Sequence, residues 1–263
     1  MQIMKSLLFL CCFLSITILA PAKNIDTIHI QSTDLNFKNL QTGSYSYVVF
    51  FKKTKESAST RILLVKINVE SKLYHNKPAF VIKQQWDLDT IVHAAYSVFD
   101  GKTFATLVHD TYWKSLGYRM KYDFEAKTVE FTNVNLKTGI PDSVKSKSTA
   151  GFNDSFSKYN LNWHADLIIY QLLPYKDKRT FMINFYDPGF GKAEEVDYTV
   201  TGSELLTGHN GEKIDCWVLY HNDPANGYEK FWIAKKTNEV LKEEDSGARG
   251  YRYKLKIGIS GDQ

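Results

Sequence analysis

The chain has 263 residues, of which 43% are hydrophobic and 14% aromatic, with a formal net charge of +4. That length is ample for one large domain and does not force two. Lysine and arginine are spread along the chain with no recognisable nucleic-acid module, which argues against a nucleic-acid partner.

The first 22 residues carry an export pattern: Lys5 supplies a positive start, residues 6–19 an apolar stretch, and Ala20-Pro21-Ala22 small residues at the cleavage positions. The apolar run is shorter than the ~20 residues of a comfortable membrane span. Residues 1–22 are therefore expected to be a cleaved secretory signal peptide and 23–263 a single mature domain, exported, with the periplasm the first expectation and an envelope-associated or secreted state the alternatives. No later apolar run approaches spanning length, so the mature chain is expected not to be transmembrane. Cleavage would remove Cys11 and Cys12, and Cys216 alone can form no internal disulfide. Stability must then come from packing.

Residues 45–51 read as a strand, followed by a polar turn at 52–59 and a second strand at 61–70. In that strand Leu63, Val65, Ile67 and Val69 share one face and Lys66, Asn68 and Glu70 the other. Residues 80–86 add a strand with Phe80, Ile82 and Trp86 on one side. Residues 88–99 fit a helical stripe or a strand, and the Asp100-Gly101 turn favours the strand. Residues 103–110, 117–124 and 127–135 complete a meander. Residues 135–151 are polar, with Gly139 and Pro141, and are expected to form a loop. Leu161, Ala165, Ile168 and Leu172 then recur at helical spacing, widened by Ile169 and Leu173, and Pro174 ends the run. One apolar helix among many strands should lie on the sheet or plug its concave side. Strands resume at 181–186 and 196–200, with Gly202-Ser203 read as a turn.

Residues 212–257 read as four further strands. The last alternates without error between Tyr251, Tyr253, Leu255 and Ile257 on one side and Arg252, Lys254 and Lys256 on the other, which predicts a dry inner face and a wet cationic outer face. The strand at 229–234 is apolar on both sides, Phe231 and Ile233 against Trp232 and Ala234. That surplus fits either a cavity or a thick core whose second face is covered. The expected fold is mainly β (α+β): a strongly curved antiparallel sheet or incomplete β-barrel with one main helix packed on its concave face.

Chemical motifs are lacking. None of the seven histidines pairs at zinc-motif spacing, so no metal is expected, and nothing implies a cofactor. There is no Gly-x-Ser-x-Gly elbow, and Gly189-Phe190-Gly191-Lys192 lacks the flanking residues of a phosphate loop. Glu194-Glu195 and Glu243-Glu244-Asp245 read as solvated strand ends. No catalytic residue is nominated and the chain is read as not an enzyme.

The order of strand, Gly-rich turn, Phe231-Trp232-Ile233-Ala234, Lys236-Thr237-Asn238, Leu241-Lys242-Glu243-Glu244 and closing basic strand resembles a bacterial exported family of unknown function. Its fold is similar to that of the periplasmic lipoprotein carriers LolA and LolB. The resemblance takes in residues 122–131 and the helical segment ending near Pro174, and so most of the chain after the leader. It implies a non-catalytic periplasmic or envelope protein that binds a lipid, an acyl chain or a lipidated partner in an apolar concavity, with the helix as a lid. Trp86, Leu167, Ile168, Trp217, Trp232 and Tyr253 are the candidate cavity liners. No arginine can be assigned by motif to the carriers' lid-locking position. Two alternatives stand beside this reading: an envelope structural or interaction protein with a filled core and a protein partner, and an envelope hydrolase assembled from groups such as His164, Asp166 and Asp215.

Overall fold

The structure, a computed structural model, describes residues 26–208, 210–224 and 227–258. The expected signal peptide lies outside these residues, as do His209 and the Ala225-Asn226 tip of an expected turn.

After a short strand β1 (Asp26–His29), the chain runs through β2 (Gly43–Lys52), β3 (Arg61–Tyr74), β4 (Lys77–Asp87), β5 (Ile91–Asp100), β6 (Thr106–Trp113), β7 (Tyr118–Asp123) and β8 (Thr128–Asn133). Each of β2 to β7 pairs antiparallel with the strand that follows it. The β3–β4 connection is a two-residue turn, His75-Asn76, with φ of 46° and 62°, the left-handed pair that matches the twist of a hairpin. A helix α1 (Asp142–Asp154), the two-residue strand β9 (Leu161–Asn162) and a four-residue helix α2 (Asp166–Ile169) lead to the second run. That run is β10 (Arg179–Tyr186), β11 (Glu194–Thr207), β12 (Lys213–Asp223), β13 (Gly227–Ala234), β14 (Val240–Gly247) and β15 (Gly250–Ile257).

The two runs form one sheet because the last strand returns to the first run: Tyr251 through Ile257 of β15 pair antiparallel with Lys52 through Ser46 of β2. The order is β1-β10-β11-β12-β13-β14-β15-β2-β3-β4-β5-β6-β7-β8, curved but not closed into a barrel. β1 and β9 pair in parallel with β10, and all other pairings are antiparallel. Gly250 makes the tight return into β15: its φ is +103°, and a Cβ there would strike the carbonyl oxygen of Lys52.

Strand alternation and the plug between the two runs account for the core. Tyr45, Tyr47 and Val49 of β2, Leu63, Val65, Ile67 and Val69 of β3, Phe181, Ile183 and Phe185 of β10, and Phe231 and Ile233 of β13 form one cluster with Leu167 through Tyr170, Leu172 and Leu173. The surplus of apolar residues on β13 has a structural explanation: Trp232 and Ala234 join Cys216, Val218 and Leu241 in a separate cluster on the other face. The sheet is thus dry on both faces there.

Three expectations are corrected. Residues 142–154, expected in a loop, form α1; the helix buries only Ser148, Gly151 and Phe152, too narrow a stripe to show in so polar a sequence. The expected continuous helix at 160–173 is broken into β9, a 3-10 turn at Trp163–Ala165, α2 and a second 3-10 turn at Tyr170–Leu172. Leu161 and Asn162 are drawn into parallel pairing with Phe185 and Tyr186, and the Asn162 side chain accepts from the His164 N–H, so helix begins only after that strand contact. Gly202-Ser203 is no turn but the site of a bulge inside the long strand β11.

Phe152 anchors α1, its ring 5.5 Å from Tyr122 and 4.9 Å from Phe124. Phe152→Ala is expected to lower unfolding free energy by about 3–5 kcal/mol, measured by urea denaturation. A loss under 1 kcal/mol would mean that α1 is not packed on Tyr122 and Phe124 at the end of β7 as described.

Candidate functional site

β15 does not present its basic side chains outward. Lys254 lies opposite Val49 and Lys256 opposite Tyr47, both core residues, and the Lys254 and Lys256 side chains are 6% and 4% exposed. Cations can face inward because the neighbouring strand and the plug supply carboxylates. Lys254 Nζ lies 2.6 Å from Glu243 and 3.7 Å from Asp166 of α2. The Arg252 guanidinium lies 2.8 Å from Glu243 and 2.7 Å from Asp245, and Lys256 lies 2.7 Å from Glu239. Glu243 and Glu244 are buried rather than solvated strand ends, and Glu244 serves the opposite face, where Lys55 and Tyr228 donate to it.

Beside this network a cleft of about 1010 Å3 opens, with Phe51, Leu63, Trp86, Trp113, Trp163 and Tyr251 among its lining side chains. It continues into a recess of about 290 Å3 that reaches Gln84, His164, Asp166, Leu167, Asp187 and Lys254. Trp86, Trp113, Trp163, Glu229 and Arg252 line both spaces, so the two are one site with an open mouth and a polar inner end. Trp86 and Trp113 meet edge to face at 5.8 Å, and Trp163 stacks on Phe185 at 5.4 Å, which fixes all three indoles.

Behind Trp113 three histidines converge. His93 stacks on that indole at 3.7 Å, and the His164 ring lies 5.2 Å from His93 and 4.8 Å from His109. Their Nδ1 atoms are held by the Tyr112 carbonyl (2.8 Å), by Ser97 and Asn162 (2.8 and 3.1 Å), and by Asp187 (3.0 Å), respectively for His93, His109 and His164. Burial, reinforced by His164, pushes His93 down to about 3 and holds His109 well below the usual imidazole range. Both are neutral at physiological pH. Among the described residues no group of three or more His, Cys, Asp or Glu side chains is arranged to hold a metal ion.

Burial pushes the Glu229 carboxyl up to about 7, with Glu243 adding to the rise and the Tyr198 hydroxyl, which donates to it at 2.6 Å, opposing it. Asp166 is raised by burial against the pull of Lys254. Burial acts the same way on Glu243, but Lys254 and Arg252 outweigh it and hold that carboxyl below its usual range.

The family model for a protein of unknown function, DUF3108, matches residues 46–256. The chain belongs to the DUF3108 family. No curated protein matches it by sequence. Solved structures similar to the chain include the hypothetical lipoprotein YmcC from Escherichia coli, with 12% identity over 83% of this chain and 88% of that one at a TM-score of 0.29. Another is a β-barrel-like DUF1849 protein from Brucella abortus, with 6% identity over 85% and 97% and a TM-score of 0.32. A third is a domain described as outer membrane lipoprotein-sorting, from Vibrio parahaemolyticus, with 11% identity over 84% and 87% and a TM-score of 0.23. Among the described residues of the DUF3108 chain no helix is long and apolar enough to cross a membrane.

Of the six residues nominated as liners, Trp86 lines both cleft and recess and Leu167 the recess. Ile168 is fully buried in the main core, and Trp217 packs against that core beside Tyr175 and under Lys235, outside both spaces. Trp232 and Tyr253 are on the opposite face: Lys242 lies 4.0 Å over the Trp232 ring, and Tyr253 stacks on Phe50 at 5.0 Å. On β13 both faces are apolar and Phe231 and Ile233 take the inner one, while on β15 buried ion pairs take it and leave Tyr253 outside. α2 is likewise a buried plug and not a lid. Of the groups considered for a hydrolase, His164 and Asp166 reach the recess, while Asp215 pairs with Lys235 elsewhere. Trp113, Trp163, Glu229 and Arg252 were missed; an aromatic residue at a strand end or helix start has no periodic signature, and Glu229 is told from surface carboxylates only by the inward register of β13.

Removing one member of the buried ion network strands the others. Lys254→Met is expected to destabilise the fold by about 3–5 kcal/mol in urea denaturation, more than the double variant Lys254→Met with Glu243→Leu, which removes both charges of the tightest pair. Equal losses would show that the pair is solvated.

His93 and His109 bind protons more readily unfolded than folded, so together they stabilise the fold fully only above about pH 6.5, and that contribution is lost progressively as pH falls toward about 3. His93→Phe should flatten the acid side of the stability curve by up to about 1.4 kcal/mol per pH unit over that window. An unchanged slope would mean that His93 is accessible to protons in the folded state. Glu229 works in the opposite sense: its folded affinity for a proton is raised, so its contribution is lost as pH rises from about 4.5 through about 7.

Proposed function

We propose that this DUF3108 protein is a non-catalytic binding protein of the cell envelope that holds a lipid, an acyl chain or a lipidated partner in the tryptophan-lined cleft. The observation that carries this reading is the cleft itself: a large open space walled by Phe51, Leu63 and three half-buried indoles. Indole and aliphatic walls with a few polar groups at one end suit an amphiphile. Each methylene of a chain laid along them would contribute ~0.8 kcal/mol if fully buried. The export pattern in residues 1–22 supports an envelope location.

A second reading is favoured by one observation. Residues 161–173 fill much of the inner side of the sheet, leaving the cleft rather than a broad apolar concavity. A structural or interaction protein would need no more space than this.

Native mass spectrometry of the protein exported to a periplasm and purified without detergent, followed by organic extraction, separates the two. The expected result is an added mass that extracts as a lipid. A clean apo mass with no uptake of added fatty acids or phospholipids would overturn the lipid reading and leave the interaction protein.

A further inference from the structure

The polar groups of the cleft restrict the kind of head group that an occupant can carry. Two residues that line both cleft and recess each carry a buried N–H with no acceptor among the described residues, Nε1 of Trp113 and Nε of Arg252. A buried N–H without an acceptor costs about 1–3 kcal/mol, and in a native fold such a group is ordinarily met by water or by a ligand. The Glu229 carboxyl, an acceptor on a residue that lines the same two spaces, receives only the Tyr198 hydroxyl and has no Lys, Arg or His nitrogen within 4.0 Å among the described residues.

The cations at the inner end are already committed. Arg252 is held by Glu243 and Asp245, and Lys254 by Glu243 and Asp166. An anionic head group would therefore meet no free counter-ion there, and it would lie against Glu229 and Asp245. An ammonium head group could meet Glu229 but would leave both N–H groups without an acceptor, since it only donates. Hydroxyl groups do both. A pyranose ring carries hydroxyls around its edge and a flat array of C–H bonds on its face, and that face suits an indole whose one edge is an N–H donor. The cleft is at the upper end of the range for small-molecule sites, about 300–1,000 Å3, which leaves room for more than one ring.

We propose that the cleft and its recess bind a saccharide, its C–H face against the indoles of Trp86, Trp113 and Trp163 and its hydroxyls meeting Trp113 Nε1, Arg252 Nε and the Glu229 carboxyl. This rests on the reading of the cleft as the seat of an amphiphile and names the chemistry of its polar end. Two sources share this chemistry, the head of a lipid and a free oligosaccharide, and the experiment tells them apart.

The test compares three ligands with the same twelve-carbon tail, dodecyl maltoside, dodecanoate and dodecyltrimethylammonium, each below its micelle concentration, together with tail-less maltotriose. Binding is followed by tryptophan fluorescence on the exported, detergent-free protein and checked by calorimetry. The expected result is dodecyl maltoside binding at least about tenfold tighter than either charged surfactant, a preference of about 1.4 kcal/mol, with maltotriose competing. Trp113→Phe keeps a ring and removes the N–H, so it should weaken the maltoside by about threefold to tenfold relative to dodecanoate. If that variant does not fold, Glu229→Gln serves in its place: dodecanoate, relieved of a repelling carboxylate, should gain on the maltoside, so that the maltoside's lead over it narrows. Equal binding of all three surfactants, or preference for a charged head, overturns the saccharide and leaves the amphiphile reading standing. Maltotriose binding as tightly as dodecyl maltoside keeps the saccharide and removes the lipid. No binding by any of the four overturns both.

Discussion

The tightest constraint on this fold is the ammonium of Lys254, enclosed between Glu243 of the adjacent strand and Asp166 of the plug. A buried lysine is tolerable only with such partners, since taking either charge out of water alone costs several kcal/mol. Lys254 sits on β15, the strand that joins the two runs of the sheet. One ionic contact therefore ties together the seam of the sheet and the segment that fills its inner side. Arg252, one position earlier on that face, shares Glu243 and extends the network to the wall of the cleft. Core and site are continuous, and the polar end of the cleft is the margin of the same network.

Much of the strand pattern was legible because strands announce themselves with period two. Leu63, Val65, Ile67 and Val69 face the core as their alternation requires, and the two-sided apolarity of β13 corresponds to two real clusters. What could not be read was which side of a strand is inner when the polar side is charged. On β15 both alternatives bury something: Tyr253 packs on Phe50 on one face, and Lys254 meets carboxylates on the other. The decision rests with Glu243 and Asp166, whose approach depends on the whole topology. Helices were illegible for a related reason. α1 is too polar to show a stripe, and the segment around α2 is buried on several sides, so its apolar spacing overstated its regularity.

The site was the least legible part. It is made from a strand end at Trp86, another at Trp113, the start of a 3-10 turn at Trp163, and inward positions at Glu229 and Arg252. These residues belong to no shared motif; they meet because β4 and β6 end, and β13 and β15 begin, at the same opening. Three histidines separated widely in sequence converge by the same means, and their rings back the indole wall rather than face solvent. Function in such a family is carried by which side chains the strand ends happen to present, and these can change while the sheet is preserved.

The pairing of β15 with β2 also bears on how the molecule comes to exist. Ser46 pairs with Ile257, with nearly the whole described chain between them. Contacts of such sequence separation are late and slow to form, because a long loop must close before they stabilise anything. Until β15 arrives, β2 is an open edge carrying Tyr45, Tyr47 and Val49, a template for pairing with other chains. A chain synthesised from its N-terminus cannot complete this sheet early. The topology leaves unfinished molecules open to association through that edge until their last strand is in place.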